Sequence, residues 1–171
     1  EESYGSLIKP FVRDKDAPQA CLMLAEAACY YKAKGKTLVD VLYGLYDELG
    51  YYEESQTSLK LDGQEGAMRI KEILSNLRNS EVKEIAGENV VRFEDYKECI
   101  IKENGTTSTL TGFTKSDVLK YYLEDGSWIA IRPSGTEPKC KFYYCVKGSS
   151  LENAHEKTLA YQKAMADMVN A

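Results

Sequence analysis

The chain has 171 residues, 43% of them hydrophobic and 29% charged, with 13 Tyr. That composition excludes a low-complexity disordered chain, and the length suffices to bury one core without disulfide or metal staples. The net charge of −5 argues against nucleic acid as the main partner, because phosphate backbones are bound by concentrated positive charge. No apolar run approaches about 18 residues, so no membrane-spanning helix is expected. The start, Glu1-Glu2-Ser3-Tyr4-Gly5, carries neither the basic nor the apolar stretch of a signal peptide. It also lacks an initiator Met, so either something was removed or the chain is expected to be an excised piece of a longer one.

The cysteines are Cys21, Cys29, Cys99, Cys140 and Cys145. Their number is odd and no C-x-x-C occurs, so neither a disulfide framework nor a zinc site is indicated. Each reads as a small buried apolar residue in a reduced, cytoplasmic setting. The sequon at Asn104-Gly105-Thr106 reads as chance in such a setting.

In chain order, Ala17, Cys21, Leu24, Ala28 and Tyr31 recur at helical spacing over 17–33. Leu38, Val41, Leu42, Leu45 and Leu49 do the same over 38–49, with Thr37 and Asp40 at capping-box spacing and Gly50 as a stop. Lys34-Gly35-Lys36 is the turn between them. Two short helices cannot make a core, so they read as the end of a domain whose beginning is absent. Residues 51–61 read as extended. A helix is predicted over 64–78 from Ala67, Ile70, Ile73, Leu74 and Leu77, and a strand at Val90–Phe93. Residues 103–116 hold seven Ser or Thr and two Gly and read as a mobile surface loop.

Leu119, Tyr121 and Leu123 alternate with polar positions, and Ile129 and Ile131 alternate beyond Asp125-Gly126. The spacing predicts a hairpin with a type I′ turn at Asp125-Gly126. A further strand is predicted over 141–147 from Phe142, Tyr144 and Val146. A closing helix follows, with Ser149 and Glu152 at capping-box spacing and Leu151, Ala154, Thr158, Tyr161, Met165 and Met168 as its stripe. From residue 51 the order is β-α-β-β-β-β-α, which predicts an α+β unit: a small antiparallel sheet with helices on one face.

Between two of those strands lies Arg132-Pro133-Ser134-Gly135-Thr136-Glu137-Pro138-Lys139. Arg132 offers a rigid fork of donors matched to two phosphate oxygens. Ser134 and Thr136 add hydroxyls, Gly135 lets backbone amides approach an anion, and the two prolines reduce the ordering cost. Lys141 on the next strand is a further donor. The plain alternative is a hairpin loop whose Pro and Gly only turn the chain. No Walker A motif is present, which argues against nucleotide hydrolysis. His155, the only histidine, reads as a surface residue of the last helix.

The run Arg132–Lys139 resembles the phosphate-binding loop in the last domain of the α-D-phosphohexomutases. The start "EESYG" resembles the end of the same family's sugar-binding loop. The segment Val12–Ala17, "VRDKDA", resembles a stretch just after that loop in the phosphoglucomutase branch. The three occur in the family's order and together span essentially the whole chain.

The resemblance implies that residues 1–50 are the helical tail of a third, sugar-binding α/β domain. Residues 51–171 would be the fourth domain, of a fold similar to the TATA-box-binding protein. It further implies a parent isomerase that interconverts hexose 1- and 6-phosphates through a phosphoserine and a bisphosphorylated sugar, with Mg²⁺ held by aspartates elsewhere. Glu1 and Ser3 would bind sugar hydroxyls. Arg132, Ser134, Gly135 and Thr136 would grip the phosphate that is not being transferred. Lys141 falls where many members have Arg. Lys15 falls where the phosphoglucomutase branch has an active-site lysine, for proton transfer or charge stabilisation; a solvated charge is the alternative.

Neither the serine motif nor the aspartate metal motif is present, so the chain alone is expected to be inactive and to bind no metal itself. Its expected partners are a phosphosugar and the remaining domains of the parent. The alternatives are a mannose or pentose mutase of the same family, or a non-catalytic phosphate-binding or interaction module.

Overall fold

The computed structural model describes residues 5–135 and 137–170, in two compact units, Glu1–Gly50 and Tyr51–Ala171. In the first unit, α1 (Ala17–Ala33) starts at Asp16, whose carboxylate accepts from the Gln19 amide. Gln19 in turn uses its side-chain oxygen to accept from the amides of Ile8 and Lys9, at 2.7 and 2.8 Å. Gly35, at φ +71°, makes the turn. Helix α2 (Leu38–Leu49) then opens on a full capping box: Thr37 accepts from the Asp40 amide, and Asp40 accepts from the Thr37 amide. No residue of either helix is buried.

The second unit is built by alternation. Its strands are β1 (Tyr51–Lys60), β2 (Glu84–Ile85), β3 (Glu88–Asp95), β4 (Ile100–Glu103), β5 (Thr106–Thr109), β6 (Leu119–Leu123), β7 (Trp128–Pro133) and β8 (Lys139–Gly148). The helices are α3 (Gly63–Asn79) and α4 (Leu151–Asn170). All pairings are antiparallel; the sheet order is β1-β8-β7-β6-β3-β4-β5, with β2 beside β3.

Along β6, β7 and β8 every second residue is buried, so Leu119, Tyr121, Ile129, Ile131, Phe142 and Tyr144 share one face. The apolar stripes of α3 (Ile70, Ile73, Leu74, Leu77) and α4 (Tyr161, Met165, Val169) complete that core. The fold is therefore α+β, an antiparallel sheet whose buried face packs against helices. A large-to-alanine substitution at such a site, for example Ile131, costs about 2–5 kcal/mol in cores of this kind.

Several local expectations are corrected. Residues 103–116 are not simply a loop: β4 and β5 form a hairpin, Glu103 pairs with Thr106, and Leu110 is buried. Its turn residues, Asn104 and Gly105, have φ of +50° and +73°, the two positive values a type I′ turn requires. Asp125-Gly126 is not that turn, since of the two only Gly126 has positive φ. There the Gly126 amide donates to Leu123 and the Leu123 amide to Ser127, the pattern of a type I turn closed by a left-handed glycine. The last helix is capped one residue later than predicted. Ser150 accepts from the Asn153 amide, and Asn153 reaches back to the amide of Ser149.

The cysteine expectation holds for one position. Cys140 is buried, Cys99 and Cys145 are half-buried, and Cys21 and Cys29 are exposed, because α1 buries none of its residues.

Asp125 gains from the turn it adopts. Its carboxylate accepts from the Ser127 amide (2.8 Å), the Ser127 hydroxyl (2.9 Å) and the Tyr161 hydroxyl (2.8 Å), and pairs with Lys157. Burial alone would raise its pKa; these donors, Lys157 foremost, hold it below the ordinary carboxylate value. Because the folded-state value lies below the unfolded one, the stabilisation is complete above the unfolded value. It is lost as the pH falls through the folded one. Asp125→Asn should destabilise the second unit by about 1–3 kcal/mol at neutral pH. The gap from wild type should narrow below about pH 4. Urea unfolding read by the single tryptophan, Trp128, measures both. Brief alkylation of the native chain should label Cys21 and Cys29 first and Cys140 only after unfolding, as peptide mapping would show.

Candidate functional site

The last pair of the β7–β8 ladder is Pro133 with Cys140, and the loop between the strands is short. The Ser134 amide donates to the Lys139 carbonyl at 2.7 Å, closing it, and the Lys139 amide donates back to Glu137 at 2.7 Å. Pro133 ends its strand, where a missing N–H is harmless. Pro138 gives its carbonyl to the Leu61 amide at 3.0 Å, which ties the loop to the end of β1. The Ser134 hydroxyl oxygen accepts from the Glu137 amide at 3.4 Å. A hydroxyl that accepts one bond can still donate another.

The loop forms one wall of a cleft of about 590 Å³. Arg132, Ser134 and Gly135 lie on that side; Lys71 and Ala67 of α3 and residues 116–118 lie on others. Residues 116–118 are held by a clasp that nothing in the sequence signalled. Arg78, in the last turn of α3, donates to buried Asp95 at 2.7 Å and to Asp117 at 2.5 Å. Asp95 also accepts from the amides of Lys97 and Glu98, at 2.9 and 3.1 Å. The clasp engages Asp117, the acid of that wall, with a guanidinium. Beneath the loop, burial and the nearby charge of Asp117 push the Cys140 thiol up to about 12, so it is no nucleophile.

Arg132 is exposed, and among the described residues its guanidinium has no hydrogen-bond or ion-pair partner. Its cross-strand neighbour is Lys141, whose ammonium lies 5.8 Å from the Tyr143 ring centroid. Two like charges directly opposite on a sheet are unfavourable. An anion between them would turn that repulsion into attraction. The arrangement thus offers a forked cation, a hydroxyl and a glycine backbone at one cleft, with a second cation across the ladder from Arg132.

Of the other predicted site residues, Glu1, Ser3 and Thr136 lie outside the described residues. Lys15 belongs to the first unit. Its ammonium is 3.8 Å from Asp14, and its stem covers Gly5, where an added Cβ would meet Lys15 Cγ at 2.6 Å. His155 is a surface residue that meets the Glu53 carboxylate at 3.1 Å. Among the described residues no group of three or more His, Cys, Asp or Glu could hold a metal ion. No described helix is long and apolar enough to cross a membrane.

A family model, the C-terminal domain of phosphoglucomutase/phosphomannomutase, matches residues 70–158. The chain is 40% identical over 159 residues to the phosphoglucomutase of Staphylococcus aureus strain MW2, covering 92% of this chain and 28% of that protein. The phosphoglucomutase of strain USA300 of the same species matches with the same identity and coverage. The chain therefore spans little more than a quarter of the length of these relatives. Among solved structures, the open form of pp63/parafusin, a phosphoglucomutase from Paramecium, superposes with a TM-score of 0.54. That match covers 99% of this chain and 30% of the other, at 17% identity, and speaks to the fold. Just over half of this chain lies within the matched family model, and the loop and the two strands that carry it, β7 and β8, fall inside it: the chain belongs to the phosphoglucomutase/phosphomannomutase C-terminal domain family.

Proposed function

We propose that the chain is the C-terminal part of a phosphoglucomutase-type enzyme, and that its second unit grips the phosphate not being transferred. One observation carries the reading. Arg132 stands at the cleft beside a closed Ser-Gly loop and opposite Lys141, and among the described residues it is unpaired. Arg132 would fork two phosphate oxygens, Ser134 and Thr136 would donate hydroxyls, Gly135 its amide, and Lys141 a point charge.

The parent would move a phosphoryl group between the 1 and 6 positions of a hexose through a phosphoserine and a bisphosphorylated sugar. The sugar must then bind in two orientations. A loop that reads the phosphate and leaves the ring alone suits both. Keeping water from the cleft would spare the phosphoryl group from hydrolysis.

In this reading residues 1–50 end the sugar-binding domain, where Glu1 and Ser3 bind hydroxyls. Lys15 would act there as a proton-transfer or charge-stabilising group, and residues 51–171 are the fourth domain. The nucleophilic serine and the Mg²⁺ ligands belong to the rest of the parent, so the chain alone has no mutase activity.

Titration of the ¹⁵N-labelled chain with glucose 6-phosphate should move the amides of Ser134 and Gly135. Arg132→Ala should weaken binding about 10- to 100-fold, the loss of a charge-assisted pair of bonds, and Lys139→Ala should cost less. Shifts confined to other regions, or equal losses from the two variants, would overturn the assignment.

A further inference from the structure

We propose that Lys60, the last residue of β1, is an additional phosphate-site residue, acting with Lys139 as an outer cationic pair behind Arg132 and Lys141. This rests on the reading of the loop as a phosphate grip and extends it to a strand that no motif marks.

The placement follows from register and alternation. In β1 the odd-numbered residues are half-buried and the even-numbered ones exposed, so Ser58 and Lys60 lie on the sheet face away from the core. In β8 the buried residues are Cys140, Phe142, Tyr144 and Val146, which places Lys139 and Lys141 on that same outer face. On β7, Ile129 and Ile131 are buried and Arg132 faces outward with them.

The ladders then bring the cations together: Lys60 is the Cα partner of Lys139, and Arg132 is the Cα partner of Lys141. Neighbours across a sheet lie about 5 Å apart, and next-but-one residues along a strand lie about 7 Å apart. Four cations from three strands therefore share one corner of the sheet, at the mouth of the loop.

Two observations distinguish this corner from ordinary solvated lysines. First, the end of β1 is fastened to the loop, since the Leu61 amide donates to Pro138 at 3.0 Å. Lys60 is thus held in register with the groups that would touch the anion. Second, three of the four cations, Lys60, Lys139 and Arg132, are uncompensated among the described residues. Asp62 and Glu137 lie close by in sequence. Even so, among the described residues neither Lys60, Lys139 nor Arg132 has an ion pair or a side-chain hydrogen bond. Like charges paired across strands weaken a sheet. The chain as a whole carries −5, so these cations are a local focus of positive potential in an acidic protein. A dianionic phosphate at the loop is the ligand class that resolves the repulsion.

The test compares variants of the ¹⁵N-labelled chain in titrations with glucose 6-phosphate at low and high salt. Lys60→Glu should weaken binding about three- to tenfold at low salt. The loss should shrink at high salt, where screening shortens the reach of the charge. Lys60→Gln should fall between Lys60→Glu and wild type, and Lys60→Arg should stay within about twofold of wild type. Lys163→Glu makes the same change of net charge at an exposed position of α4 and should have little effect.

Equal effects of Lys60→Glu and Lys163→Glu would overturn the proposal by reducing it to net charge. Unchanged binding in Lys60→Glu, while Arg132→Ala still weakens it about 10- to 100-fold, would overturn the role of Lys60 and leave the phosphate grip standing. Unchanged binding in both would overturn the grip as well.

Discussion

The pairing of β7 with β8 is the constraint on which the candidate site depends. Both strands alternate large apolar and polar residues, and Ile131 pairs with Phe142 in the core. A shift of register by one residue would drive Arg132 and Lys141 inward and expose those two side chains. Burial of the inner row therefore holds the outer row in place. It also sets the loop, because the ladder must end at Pro133 and Cys140 for the Ser134 amide to meet the Lys139 carbonyl. Packing on one face of the sheet thus positions donors at its end.

The second wall of the cleft is secured differently. Residues 116–118 have little apolar burial to hold them, and an ion-paired clasp does so instead. Arg78 reaches from α3 to Asp95 and Asp117, and Asp95 turns the chain by accepting from two amides. A buried carboxylate is tolerated only when its lone pairs are satisfied, and here they are. The same logic governs Glu94 on the outer face, buried and ringed by Arg92, Tyr96 and Tyr122. Polar networks of this kind fix geometry where a hydrophobic contact would only fix proximity.

Much of the fold was legible because its signals are local. The helices at 17–33 and 38–49, the capping box at Thr37 and the stripes of α3 and α4 are periodicities that a helix expresses by itself. The loop proposed to grip an anion was legible because Arg, Ser, Gly and Pro each leave a chemical trace in sequence. What escaped had competing readings. Asn104-Gly105 is a hairpin signal, but it sits among so many Ser and Thr that it read as loop. Asp125-Gly126 carried the type I′ signature, yet Asp125 serves its carboxylate better in a type I turn, where Ser127, Tyr161 and Lys157 converge on it. The cysteines of α1 read as buried because cysteine usually is, while the helix that carries them buries nothing within its own unit.

The sequence by itself determined the face of each element, because alternation and helical spacing are properties of one segment. It also determined the chemistry of the loop, because residue types carry their donors with them. Only the tertiary structure decided which segments became neighbours. Strand β1, first in its unit, lies beside β8, its last strand, and so sets Lys60 opposite Lys139. Arg78 meets Asp95 and Asp117 from a helix that ends well before either. Such pairings follow from burying the apolar face of every element at once, a condition on the whole unit that no single stretch of sequence expresses.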